Sequence, residues 1–135
     1  MGIEVIRQID YVILLCENLD ASRCFYRDVM KFPIEEDHPT WIKFRVGPGA
    51  LILRPRGPWL GWNDGPNVPG SACVQLAFRV ASGGVAKCYA ELLEKKVEIL
   101  EPPKDQEFGH RTLFFRDPEG NVVEIYAEIK SRGRE

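Results

Sequence analysis

Phe114-Phe115-Arg116-Asp117-Pro118-Glu119-Gly120-Asn121-Val122-Val123-Glu124-Ile125-Tyr126 is the stretch that decides the fold. Aromatic and β-branched residues flank Asp-Pro-Glu-Gly-Asn, a cluster of turn formers, so the stretch predicts two antiparallel strands joined by a tight turn. Asp117 can bond its own backbone, Pro118 fixes φ at the first corner, and Gly120 supplies a positive φ that other residues tolerate poorly. Strand alternation puts Val123 and Ile125 on one face and Val122, Glu124 and Tyr126 on the other. Glu124 is the only carboxylate inside that apolar run. It is either a solvated sheet residue or a group held for chemistry, and the rest of the chain favours the second.

Working back from the hairpin, the pattern gives a strand over Ala72 to Val80, a break at Gly83-Gly84 and a helix over Val85 to Lys95. A strand over Val97 to Leu100 and a loop containing Pro102-Pro103 follow. The first half has the same order. Ile3 to Cys16 reads as a strand that is apolar on both faces, hence covered on both sides and central. Asn18 or Asp20 caps a helix to about Met30, with Ala21, Cys24, Phe25 and Val29 on one stripe. Strands at Ile34 to Asp37, Trp41 to Val46 and Ala50 to Arg54 complete the unit, with Gly47-Pro48-Gly49 turning between the last two.

The chain therefore repeats itself. Cys24-Phe25-Tyr26 matches Lys87-Cys88-Tyr89, and Gly47-Pro48-Gly49 falls where Pro118-Glu119-Gly120 falls. On that alignment Tyr11 pairs with Gln75 and Leu53 with Glu124. The predicted fold is α+β, with two βαβββ modules forming a curved mixed sheet around a cleft. The modules span about 3–55 and 72–128 of a single domain, 1–135. A Pro- and Gly-rich linker, about 56–71, carries Trp59 and Trp62, which either plug a gap or form a lid.

A chain of 135 residues buries one sizeable core and is too short for two ordinary domains. With 44% apolar and 28% charged residues it has an ordinary globular composition. No run is apolar enough to span a membrane, and no export leader opens the sequence, so a cytoplasmic protein is expected. A net charge of -2 with interspersed signs gives no footprint for nucleic acid or a membrane surface. Cys16, Cys24, Cys73 and Cys88 form no C-x-x-C pair and read as buried reduced thiols.

Parity on the strands nominates the cleft. His110, Thr112 and Phe114 share a face, while Leu113 and Phe115 point to the core. In the first module Ile42, Phe44 and Val46 are inward and Trp41, Lys43 and Arg45 outward. Parity thus adds Trp41, Lys43, His110 and Phe114 to a cleft set whose other members, Tyr11, Leu53, Gln75 and Glu124, are the positions that the family resemblance given below implies. It is aromatic and mostly apolar, which suits an organic ligand better than a bare ion. Glu124 and His110 are its candidate catalytic groups, His110 being either a general base or a surface residue at the strand start. His38 lies in a polar turn and reads as solvated.

The run Phe115-Arg116-Asp117-Pro118-Glu119-Gly120-Asn121-Val122-Val123-Glu124 is joined by the opening Ile9-Asp10-Tyr11-Val12, then Asn18-Leu19-Asp20-Ala21-Ser22 and Phe25-Tyr26-Arg27-Asp28-Val29. Together they resemble the vicinal oxygen chelate superfamily, which includes glyoxalase I, the bleomycin- and fosfomycin-resistance proteins, methylmalonyl-CoA epimerase and the extradiol dioxygenases. The resemblance covers nearly the whole chain. It implies a divalent ion held at four positions, one on the first and one on the last strand of each module: here Tyr11, Leu53, Gln75 and Glu124. Leu53 cannot ligate, and Tyr11 stays protonated at neutral pH. The expectation is therefore no cofactor, with a divalent metal at Gln75 and Glu124 as the alternative. Extradiol chemistry is set aside, because Phe114 lacks a hydroxyl where that branch carries a Tyr and neither of its metal His residues is present. What remains is a metal-free binder of a planar small molecule, a metal-dependent lyase or isomerase, or a metal-free enzyme using Glu124 or His110 as base. The resemblance also implies a homodimer.

Overall fold

The computed structural model describes residues 2–129. The chain forms two compact units, Met1–Asn67 and Val68–Glu135. Unit 1 runs β1 (Tyr11–Cys16), α1 (Leu19–Cys24), a π turn (Phe25–Val29), β2 (Ile34–His38), β3 (Trp41–Val46) and β4 (Gly49–Pro55). Unit 2 runs β5 (Gln75–Arg79), α2 (Gly84–Glu94), β6 (Ile99–Asp105), β7 (His110–Arg116) and β8 (Val122–Glu128). The sheets have the orders β1-β4-β3-β2 and β5-β8-β7-β6. In each, the first strand pairs parallel with the last and the other pairs are antiparallel. The repeated βαβββ order read from the sequence is the order found.

Asn18 starts α1 by accepting the Ala21 N–H on its side chain at 3.0 Å, which satisfies one of the donors a helix start leaves over. The following π turn seats Tyr26 in the core of unit 1, its ring 6.1 Å from Phe32 and 6.3 Å from Phe44. Leu14, Cys16, Ile42, Phe44, Leu51 and Leu53 are buried on that same side of the sheet. In unit 2 the helix-facing side buries Leu113, Phe115, Val123 and Ile125 beside Val85 and Leu92 of α2. Each sheet thus has one face packed on its helix and one face turned away from it.

The hairpin of β7 and β8 closes as its residues require. Asp117 accepts the Glu119 and Asn121 N–H groups at 2.9 and 3.0 Å and the Asn121 side-chain amide at 3.0 Å. Gly120 has φ +87°, and a Cβ there would stand 3.2 Å from the Ser71 carbonyl oxygen, so conformation and space both ask for glycine. In the matching turn the positive φ falls on Gly47, at +57°, and not on Gly49.

The structure corrects several expectations. The first strand begins at Tyr11, with only a 3-10 turn at Ile3–Val5 before it. Arg7 and Gln8 break the apolar alternation between Ile6 and Ile9, and Ile9 is 88% exposed. Within its sheet β1 is an edge strand and not a central one. Pro102 and Pro103 lie inside β6, at the register irregularity between Glu101 and Lys104. An edge strand accommodates them, since its outer side needs no N–H. Cys24 and Cys73 are exposed, whereas Cys16 is buried, and all four cysteines are reduced. Among the described residues, no helix is long and apolar enough to cross a membrane.

Candidate functional site

On unit 2 the face turned away from α2 carries Gln75 from β5, Val122, Glu124 and Tyr126 from β8, and His110, Thr112 and Phe114 from β7. Phe114 stands directly across from Glu124 in the antiparallel ladder, so ring and carboxylate are nearest neighbours on one face. Gln75 reaches over from the parallel neighbour and donates Nε2 to Glu124 Oε1 at 3.2 Å. These three candidates form one cluster.

His110 does not join it. Its partner across the ladder is Glu128, four positions along β8 from Glu124, which places the two about 13 Å apart along the strand. His110 instead stacks on Tyr126, with centroids 4.4 Å apart and planes at 22°, and Phe108 meets it edge-on at 5.4 Å. Tyr126 therefore occupies the ground between the two candidate bases. The sequence analysis left it out of the site, although hairpin parity had put it on the face of Glu124. Below it, Thr112 accepts from Gln106 Nε2 at 2.9 Å, and that amide also donates to Glu101 Oε1 at 3.1 Å.

On unit 1, Tyr11, Trp41 and Lys43 lie on the face turned away from α1, as parity required. Tyr11 is 47% exposed. Lys43 is drawn into an ion pair, Nζ to Glu35 Oε1 at 3.0 Å, and Arg45 holds the same carboxylate at 2.7 Å. The hydrogen bonds from Arg45 and then Lys43 keep the Glu35 carboxyl below the usual range. Trp41 stacks on His38 at 4.2 Å and 27°. His38 Nε2 also lies 3.6 Å from Glu36 Oε1, so His38 is more than a solvated turn residue.

Leu53 is not on this face. Its side chain is 0% exposed, on the helix side of the sheet. The registers explain the error. Tyr11 pairs with Ala50 and Ile52 with Lys43, just as Gln75 pairs with Val122 and Glu124 with Phe114. The counterpart of Glu124 is thus Ile52. The four positions that the resemblance assigns to a metal are then Tyr11, Ile52, Gln75 and Glu124. A hydrocarbon, a phenol, an amide and one carboxylate do not make up a transition-metal donor set. Among the described residues no three His, Cys, Asp or Glu side chains are grouped to hold a metal ion.

Residues after β4 fold back onto unit 1. Arg54, on β4, donates Nη1 to Asp64 Oδ2 at 2.8 Å and Nη2 to Asp64 Oδ1 at 3.0 Å. Trp62 Nε1 and the Gly57 N–H add donors to the same carboxylate at 3.0 and 3.1 Å. The Arg54 guanidinium lies 4.5 Å from the centroid of Trp59. Only the two tryptophans had marked this segment in the sequence, because a pairing ten residues apart leaves no periodic trace.

The family model of the glyoxalase-like domain matches residues 9–130. The metallothiol transferase FosB of Staphylococcus epidermidis is 25% identical over 126 residues, which cover 90% of this chain and 84% of that protein. The uncharacterized protein YraH of Bacillus subtilis is 29% identical over 118 residues, covering 84% and 92%. Among solved structures, a glyoxalase/bleomycin resistance protein/dioxygenase from Nocardioides superposes with a TM-score of 0.82 over 96% of this chain and 90% of that one, at 21% identity. A lactoylglutathione lyase from Agrobacterium tumefaciens gives 0.72 over 89% and 92%, at 22% identity.

Proposed function

Because the chain belongs to the glyoxalase-like domain family, we propose that it is a small-molecule-binding member of the glyoxalase and bleomycin-resistance kind, holding an aromatic or otherwise planar organic ligand without a resident metal. The observation that carries this reading is the cluster of Phe114, Glu124 and Gln75. Gln75 engages one carboxylate oxygen of Glu124 and leaves the other to accept from a ligand donor, while Phe114 beside it offers a ring to stack on. Stacking of this kind contributes roughly 0.5–1.5 kcal/mol beyond burial. The substitution of Ile52 at the position matching Glu124 removes a ligand that a metal would need.

The names of two similar proteins, a metallothiol transferase and a lactoylglutathione lyase, favour a second reading, a metal-dependent lyase or isomerase with a divalent ion at Gln75 and Glu124. Elemental analysis of the purified protein, paired with calorimetric titration of planar compounds before and after chelation, separates the two. The first reading expects less than a stoichiometric metal and unchanged binding after chelation. One retained equivalent of metal, lost in Glu124→Ala, would overturn it. Were the protein a metal-free enzyme, Glu124 and His110 would act as separate bases, because the strand holds them apart, and each single variant would lower turnover by itself.

We also propose a homodimer. Its support is the edge strand β1, whose Tyr11 and Ile13 are exposed together with Ile9, an apolar edge of the kind that association covers. A monomer mass by light scattering at micromolar concentration would refute it.

A further inference from the structure

The segment after β4 is a small hairpin, closed by the bridge between Pro58 and Asn63 and by the Trp59 N–H on the Trp62 carbonyl at 2.9 Å. Its tip carries Trp59, Leu60 and Trp62, which are 37%, 84% and 54% exposed. Side chains that merely plugged a gap would be buried, and these are not. Leaving three large apolar groups in water costs solvation free energy, yet their backbone is tied down. The side chains of Arg54 and Asp64 are only 8% and 5% exposed. Between them they saturate each other and anchor Trp62 Nε1 and the Gly57 N–H, and Arg54 supports Trp59 from beneath. The Asp64 carboxylate and the Trp62 indole N–H are engaged within the hairpin, and the large side chains exposed at the tip are apolar. At its stem, Gly57 and Asn63 also line a depression of about 410 Å³ with Glu17, Arg56, Gly65 and Pro66, a volume within the range of small-molecule pockets. That lining contains a carboxylate, a guanidinium and an amide.

We infer that this hairpin is a pre-organised aromatic platform for a flat aromatic molecule bearing a polar substituent, the ring resting on Trp59 and Trp62 and the substituent directed to the polar depression. Arg54 and Asp64 are its positioning residues, which hold the indoles in place so that binding need not order them. The inference rests on the reading of the protein as a binder of planar organic molecules and adds a surface on unit 1 to the cluster of Gln75, Phe114 and Glu124 on unit 2.

The probe is 4-nitrobenzoate, a flat nitroaromatic that quenches indole emission on stacking, with cyclohexanecarboxylate as its saturated match. Saturable quenching is expected, with no competition from the saturated acid. Trp62→Phe, at an exposed tip that leaves the core untouched, should lower the maximal quench, and Trp59→Ala/Trp62→Ala should raise Kd roughly three- to tenfold. Asp64→Asn should raise Kd comparably and lower the emission anisotropy of the tryptophans, a loss of order that a merely stabilising pair would not produce below the melting temperature. If Asp64→Asn fails to fold by circular dichroism, Arg54→Lys, which keeps the charge and loses the bidentate fork, takes its place. Equal competition by cyclohexanecarboxylate, or an unchanged Kd in the double alanine variant, would overturn the platform. Titration of 4-nitrobenzamide, which carries the N–H donor that Glu124 would accept and that 4-nitrobenzoate lacks, into Glu124→Gln and the tryptophan variants keeps the two ideas apart. If Glu124→Gln alone weakens its binding, the platform falls and the Glu124 reading stands; if only the tryptophan variants do, the reverse holds.

Discussion

Gln75 and Glu124 touch across the parallel β5–β8 pair, Nε2 to Oε1 at 3.2 Å, although the ladder sets Gln75 opposite Val122 and Glu124 opposite Ala77. The contact is diagonal, so Gln75 aims the carboxylate and does not merely sit beside it. Glu124→Ala should weaken binding of a planar ligand with a donor group by roughly 1–3 kcal/mol, as loss of a charged acceptor does. Gln75→Leu should cost less, and the double variant less than the sum of the two. Calorimetric titration of the four proteins gives the coupling; strictly additive losses would mean that Gln75 does not position Glu124.

The assignment of Leu53 to the core and Ile52 to the opposite face is tested by truncation. Leu53→Ala removes a fully buried side chain and should destabilise the protein by roughly 2–5 kcal/mol. Ile52→Ala, half-buried on the other face, should cost clearly less. Urea unfolding reads both, and the opposite ranking would return Leu53 to the ligand face.

The same pair shows where the sequence was legible and where it was not. The hairpin, the strand parities of β3 and β7, a helix start at Asn18 or Asp20 and the order of elements in each module could all be read, because each is written in neighbouring residues. The slip on β4 came from aligning two turn glycines. Gly49 was set against Gly120, but β3 and β4 close over only Gly47 and Pro48, whereas β7 and β8 enclose Asp117 to Asn121. Turns of unequal length shift the register by one, and a one-residue shift exchanges the faces of a strand. Within the cluster, Phe114 followed from strand parity, and Gln75 and Glu124 from the repeat and the family resemblance. The stacking of His110 on Tyr126, of His38 on Trp41 and of Trp59 on Arg54 did not, since side-chain pairing between strands or across a loop has no local signature.

The two turn glycines should respond unequally to alanine. At Gly120 a positive φ combines with a Cβ position 3.2 Å from the Ser71 carbonyl oxygen, whereas at Gly47 the φ is +57° and nothing lies within 4 Å. Gly47→Ala should therefore cost about 1 kcal/mol, the conformational penalty alone. Gly120→Ala should cost more, roughly 2–3 kcal/mol, because Ser71 backbone must also move. Thermal melts of the two variants check the order.

Acid should expose the Arg54–Asp64 pair. The Arg54 guanidinium first, with the Trp62 and Gly57 N–H groups, holds the Asp64 carboxyl far below the usual aspartate range, while burial works the other way. A carboxylate whose folded pKa is depressed contributes stability in full above its unfolded value, about 3.9, and loses it as pH falls toward the folded value. Glu35 and Asp105, also lowered by arginine partners, act in the same direction. The wild-type melting temperature should thus hold between pH 5 and 7, a window chosen to lie above about 3.9, and fall below it. Asp64→Asn should start lower, since Arg54 is left buried without its counter-charge. Its melting temperature should then decline less steeply in acid, because one linked proton is gone. Melts of both proteins from pH 2 to 7, a range set to bracket about 3.9, measure the two slopes, and parallel curves would show that Asp64 is not the group that titrates.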